Sequence, residues 1–175
     1  MSGEERRSIR PEHEPVAFGR RLATSEAFRA MFREGMSLVE ETATYLDGDG
    51  RRESHRLPRS ASLAYATESM RLTTRLMQLA SWLLLQRAVN EGDLTADQAR
   101  SERAKVKLGG VSSATDGDTW EALPEKLRAL IERSLRLQDR VVRLDEALKT
   151  EAPAEQQRNG VRAAQSLLAE AFGGL

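Results

Sequence analysis

The sequence predicts an all-α fold: an antiparallel three-helix bundle forming a homodimer, with a flexible N-terminal arm and a flexible C-terminal tail. Three observations predict it. Leu, Ala, Glu and Arg dominate the 175 residues, and only 5% are aromatic, a helix-forming composition. Three long segments place apolar residues at a period near 3.6. The last of them keeps a three–four spacing unbroken from Leu127 to Leu148.

The arm, residues 1–23, carries Pro11, Pro15 and mixed charge with little apolar content, so Met1–Arg21 has no core of its own. The bundle domain spans 24–149. Its first helix runs over about Ser25–Leu46, capped by Thr24 or Ser25 with Glu26 in the first turn. Phe28, Phe32, Gly35, Val39, Ala43 and Leu46 form its expected buried stripe, widened by Met31, Met36, Leu38 and Tyr45. Gly35 in mid-helix points to a close helix crossing, and Gly48 ends the helix in a turn.

The second helix, about Ser60–Glu91, is long for a small protein. Leu63, Ala66, Met70, Thr73 and Met77 form the stripe of its first half. In the second half apolar residues nearly encircle it, which implies burial on more than one side. It is too short to be a membrane span. Leu76–Gln86, between Arg75 and Arg87, reaches roughly 16 Å, about half of a hydrocarbon core. The single stripes of the other two helices leave this surface uncovered, so a homodimer seam through Leu79, Trp82 and Leu83 is expected.

Gly92 closes that helix, and Thr95-Ala-Asp-Gln98 reads as a capping box opening a short helix to about Lys105. Leu108–Thr119 reads as a Gly/Ser/Asp loop. The third long helix opens at Leu123–Pro124 and runs to about Lys149. Leu127, Leu130, Ser134, Leu137, Val141, Leu144 and Leu148 form its seam, with Glu132–Arg136, Asp139–Arg143 and Asp145–Lys149 on a solvated face. The tail, 150–175, begins where Pro153 and Asn159-Gly160 break the helix. Val161, Leu167, Leu168 and Phe172 have no evident place in the core and are expected to dock a partner.

Chemistry is scarce. Lys+Arg number 27 against 27 Asp+Glu, so no bulk field draws the chain to nucleic acid or an anionic membrane. There is no cysteine, and the two histidines, His13 and His55, lie apart, so no His/Cys metal cluster is built. Asp47-Gly-Asp49-Gly and Asp116-Gly-Asp118 open like calcium loops. Arg51 and Trp120 then stand where the third ligand belongs. No nucleophile elbow, phosphate loop or dinucleotide fingerprint is present, so catalytic residues, metal and cofactor are all read as none. The alternative function is a helix-turn-helix DNA-binding regulator using 83–105, with Arg100, Arg103, Lys105 and Lys107 on phosphates. Asp97, Glu102, the apolar first helix and overall neutrality count against it.

Three strings, Phe32–Gly48 (FREGMSLVEETATYLDG), Glu68–Gly92 (ESMRLTTRLMQLASWLLLQRAVNEG) and Ser134–Asp145 (SLRLQDRVVRLD), resemble the RcdA family of alphaproteobacteria, regulators of CtrA degradation. The resemblance covers the helical core. It implies three-helix dimers without catalytic residues or cofactor. These would act as adaptors that help the ClpXP protease receive selected substrates, CtrA among them, beside the adaptors CpdR and PopA. It implies a cytoplasmic protein gathered at a cell pole. The arm, the loop 109–119 and the tail carry no part of the resemblance.

Overall fold

A computed structural model of the chain describes residues 18–109 and 117–172, with side chains described over 19–109 and 117–151. The described residues are helical and contain no strand. Seven helices follow in order: α1 (Phe18–Ala23), α2 (Glu26–Asp47), α3 (Asp49–Ser54), α4 (Arg59–Glu91), α5 (Ala96–Lys105), α6 (Gly117–Glu121) and α7 (Glu125–Phe172). The long helices α2, α4 and α7 each pack against the other two.

Local chemistry explains the ends. The Ser25 hydroxyl accepts from the Phe28 N–H at 3.4 Å and caps α2. Gly92 takes φ 84°, the left-handed turn that glycine adopts without strain. The Asp93 N–H then closes onto the Ala88 carbonyl at 2.9 Å to end α4. Thr95 and Gln98 form the reciprocal capping box of α5. Instead of an open turn after Gly48, the chain re-enters a helix at once, because Gly50 lets α3 lie on Tyr45 and Tyr65.

Side-chain contacts fix the helix directions. Gly35 of α2 meets Leu83 of α4, whereas Gly50, beyond the other end of α2, meets Tyr65, so α2 and α4 are antiparallel. Glu34 pairs with Arg140 and Glu41 with Lys126 and Arg133, so α2 and α7 are antiparallel too. Arg75 reaches Ser134 and Trp82 reaches Asp145, so α4 and α7 run parallel. The sequence reading expected an antiparallel bundle; this pair departs from it. The physical reason is the long connection through α5 and α6. The Arg103 guanidinium donates to Gln86 and the Gln138 amide to the Leu108 carbonyl, which carries the chain back along α4 before α7 begins.

The α7 seam is buried from Leu127 to Leu144, with Ser134 inside it. The buried line of α2 is Phe28, Met31, Gly35, Leu38, Thr42 and Tyr45, not the expected Phe32–Val39–Ala43–Leu46 edge. Gly35 sets that rotation. A Cβ there would stand 2.6 Å from Leu83 Cδ1, so the absence of a side chain is what lets α2 and α4 close.

Two expectations about the ends change. Part of the expected arm is α1, docked on α7: the Gly19 N–H donates to Glu151 Oε1 at 2.6 Å and Ala23 is buried. The rest of the arm, 1–17, and the loop residues 110–116 lie outside the described residues. The expected tail is helical as far as Phe172, since α7 runs 48 residues without a break. Pro153 costs about 3 kcal/mol and Gly160 about 1 kcal/mol inside a helix, while their alanine-, glutamate- and glutamine-rich surroundings favour it.

Gly35→Val is expected to lower stability by about 2 kcal/mol, read as a lower midpoint in chemical denaturation, because the added methyls enter a filled crossing. Glu41 is held below the usual carboxylate range by hydrogen bonds from Lys126 and then Arg133. Its contribution is therefore present at neutral pH and lost as pH falls through that depressed value. Glu41→Gln should cost about 1 kcal/mol or less at pH 7, and the difference from wild type should close in acid.

Candidate interaction surfaces

Helix α4 is turned opposite to the sequence expectation. Leu63, Met70 and Met77, read as the inward stripe of its first half, are 71%, 72% and 67% exposed, and Leu84 continues them at 51%. Inward instead lie Ala61, Ala64, Tyr65, Leu72, Leu76, Leu79, Trp82 and Leu83, with Glu68, Arg75 and Gln86 among them. Leu79, Trp82 and Leu83, expected at a seam between two copies, are thus in the core of a single chain. This corrects that assignment. The face they share with Gly35, Leu137 and Asp145 is already filled from within.

The inward polar groups decide the rotation. The Trp82 indole N–H donates to Asp145 Oδ1 at 2.8 Å, and Lys149 closes the other carboxylate oxygen at 2.5 Å. Arg75 donates to the Ser134 hydroxyl at 2.9 Å, and that hydroxyl donates to the Ile131 carbonyl at 2.6 Å. Glu68 takes Arg71 at 2.7 Å. Buried polar groups need partners, and α7 supplies two of these. Asp145 is accordingly core-facing, not on the solvated face expected for it. Burial holds the Arg75 guanidinium below its ordinary pKa, with the Glu68 charge opposing that shift.

What this rotation leaves outside is unusual. Leu63, Met70, Met77 and Leu84 are spaced by seven residues along a helix of about 50 Å. Ala66, Thr67, Thr73, Thr74, Ala80 and Ser81 fill the steps between them. Three of those hydroxyls are already satisfied by their own helix: Thr67 donates to the Leu63 carbonyl, Thr73 to Ser69 and Ser81 to Met77, at 2.8–3.0 Å. The charges of this stretch, Glu68 and Arg75, are turned inward, and Arg71 reaches over to Glu68. The surface is therefore apolar, small-stepped and cheap to desolvate.

The α4–α5 junction carries the residues of the DNA alternative. Arg103 is turned inward, its guanidinium 5.7 Å above the Trp82 ring and hydrogen-bonded to Gln86. Arg100 pairs with Asp97 at 3.2 Å and Lys105 with Glu102 at 2.7 Å. These are intrachain roles and do not make a basic face for a duplex. The described residues hold no cluster of three metal-ligating side chains and no helix long and apolar enough to cross a membrane. Val161, Leu167, Leu168 and Phe172 fall on the end of α7, and their side chains lie outside the described ones.

Residues 19–172 match a family described as a protein of unknown function, DUF1465. The chain is also similar to a solved structure, RcdA from Caulobacter crescentus CB15. Sequence identity is 52% and the TM-score 0.59, over 71% of this chain and 92% of that one. No curated protein matches.

Trp82→Phe replaces the buried indole by a smaller phenyl ring, which removes the donor to Asp145 and leaves a cavity. It is expected to cost about 3–5 kcal/mol in denaturant unfolding, the lost hydrogen bond and the cavity together, and to leave the assembly state unchanged.

Proposed function

The chain belongs to the DUF1465 family of RcdA-like proteins, and on that premise we propose that it is a non-catalytic adaptor. It helps deliver selected substrates, the cell-cycle regulator CtrA among them, to the ClpXP protease. It acts with CpdR, which primes the protease, and with PopA-type adaptors, in the cytoplasm and concentrated at a cell pole. The observation that carries this reading is the 52% identity to RcdA, which extends over 92% of that chain.

The adaptor works as a homodimer through the outward stripe of α4. A second copy presents the same evenly spaced ridge, which a two-fold axis makes self-complementary. Eight Leu and Met side chains, four from each copy, would contribute on the order of 12–24 kcal/mol gross if fully buried, against an association cost of about 4–15 kcal/mol. The far end of α7 is the second working part. It runs 21 residues past Glu151, roughly 32 Å. Val161, Leu167, Leu168 and Phe172 supply apolar positions there for docking a partner.

The test is reconstituted proteolysis of CtrA by ClpXP with CpdR and PopA, with and without this chain. Faster loss of CtrA on its addition is expected; no acceleration at any concentration overturns the adaptor reading. Met77→Glu should give the mass of one chain by light scattering while keeping its helical circular dichroism, because the side chain is outside the core. A dimer unchanged by that charge removes the α4 seam. A chain ending at Ala152, which keeps the Glu151 anchor of α1, should still dimerise and lose stimulation of proteolysis; full stimulation would remove the docking role of the α7 end.

A further inference from the structure

Beside the α4–α5 junction lie two adjoining clefts that the adaptor reading does not use. The first, about 340 Å³, is lined by Arg20, Arg100 and Arg103, with Asn90 and Gln86 beneath them and Glu151 on one wall. The second, about 560 Å³, is lined by Phe28 and Phe32 with Arg29, Arg33 and Arg87. Thr24 and Asn90 line both, so the two lie side by side.

The first cleft is built. Arg103 is stacked over Trp82 and fixed by the Gln86 carbonyl oxygen. Gln86 donates to Asn90 at 2.9 Å, and Asn90 to the Ala23 carbonyl at 2.5 Å, so α1, α4 and α5 are tied around the opening. Among the described residues no carboxylate lies within ion-pairing distance of Arg103; its named partner is a neutral amide. Burial lowers its pKa, with the more distant Asp145 opposing that and Arg100 adding to it. An arriving anion would relieve both costs. Arg100 is held by Asp97 in an exposed pair, worth about 0–1 kcal/mol and easily exchanged.

The second cleft has an aromatic floor. The Arg87 guanidinium sits 5.0 Å from the Phe32 ring centroid, and Phe28 lies 6.5 Å from Phe32. Arg87 is balanced by Glu91 at 2.7 Å.

We infer that the paired clefts form a docking site for an acidic linear peptide, whose aspartate or glutamate enters between Arg100 and Arg103 and whose adjacent aromatic side chain lies on Phe32. A carboxylate suits the first cleft because bidentate guanidinium–carboxylate pairing matches its donors. The Glu151 wall charge disfavours a phosphate dianion, and Glu91 with an aromatic floor disfavours a polyanionic strand. The chain's overall neutrality points the same way. This site stands on its own geometry, whether or not the chain serves a protease.

The test uses the full chain carrying Trp120→Phe, so that Trp82, under Arg103, is the only indole. Short synthetic peptides with an Asp or Glu a few residues from a Phe are titrated while Trp82 emission and the anisotropy of a labelled peptide are followed. Counterparts carry Asn or Gln for the acid, or Ala for the Phe, and inorganic phosphate is titrated separately. Saturable binding with a Trp82 shift is expected. It should weaken by about tenfold or more in each counterpart and in Arg100→Glu, the range for a charge-assisted pair. Arg103→Lys should weaken it as well, since a lysine cannot pair in the same fork. Folding of each variant is checked by circular dichroism. Acid–Phe peptides no better than their neutral counterparts, binding unaffected by Arg100→Glu, binding without a Trp82 shift, or phosphate displacing the peptide at low concentration would each overturn the inference.

Discussion

The rotation of α4 about its own axis is the constraint on which the molecule depends, and the buried partners of Trp82 and Arg75 set it. An indole N–H and a guanidinium inside a protein need acceptors, and α7 supplies Asp145 and Ser134 at matching heights. Turning α4 to bury Met70 and Met77 instead would bring the charges of Glu68 and Arg75 to the surface. It would also strand Asp145 and Ser134 inside. Leaving a buried polar or charged group unpaired costs more than exposing a few apolar side chains. The exposed stripe is thus a consequence of the interior, and its even spacing makes it a surface that a second helix can cover.

The same interior ties the connection to the bundle. Trp82 is held on one side by Asp145 and capped on the other by Arg103, which continues through Gln86 and Asn90 to the Ala23 carbonyl. One aromatic ring therefore couples α1, α4, α5 and α7. This network lets α5 leave α4 after Gly92 and still return along it, and the return makes α4 and α7 parallel. The arginine-lined cleft lies at the edge of this network, with walls from α1, α4, α5 and α7.

The segment Glu68–Gly92, one of the three strings that resemble the RcdA family, is the one with both an inward polar face and an exposed apolar one. Its inward face holds Glu68, Arg75, Trp82 and Gln86, and its outward face Met70, Met77 and Leu84. Little of it is free to vary without loss of either core or surface.

The sequence by itself determined the three long helices, the short helix after Thr95, their caps and the α7 seam, because period, capping residues and glycine stops are local properties of a chain. Helices α1, α3 and α6 and the continuation of α7 past Lys149 depend on contacts and context beyond such signals. Ser25, Gly92 and Thr95 act where their types predict, and Leu127 to Leu144 are buried as their spacing requires. Only the tertiary structure decided which side of α4 faces in, that Leu79, Trp82 and Leu83 belong to one chain's core, and that α4 and α7 run parallel. A helical stripe of Leu and Met reads the same whether it meets its own chain or another. What separates the cases is the position of Ser134 and Asp145, roughly sixty residues away in sequence, and a spacing rule within one helix does not contain that distance.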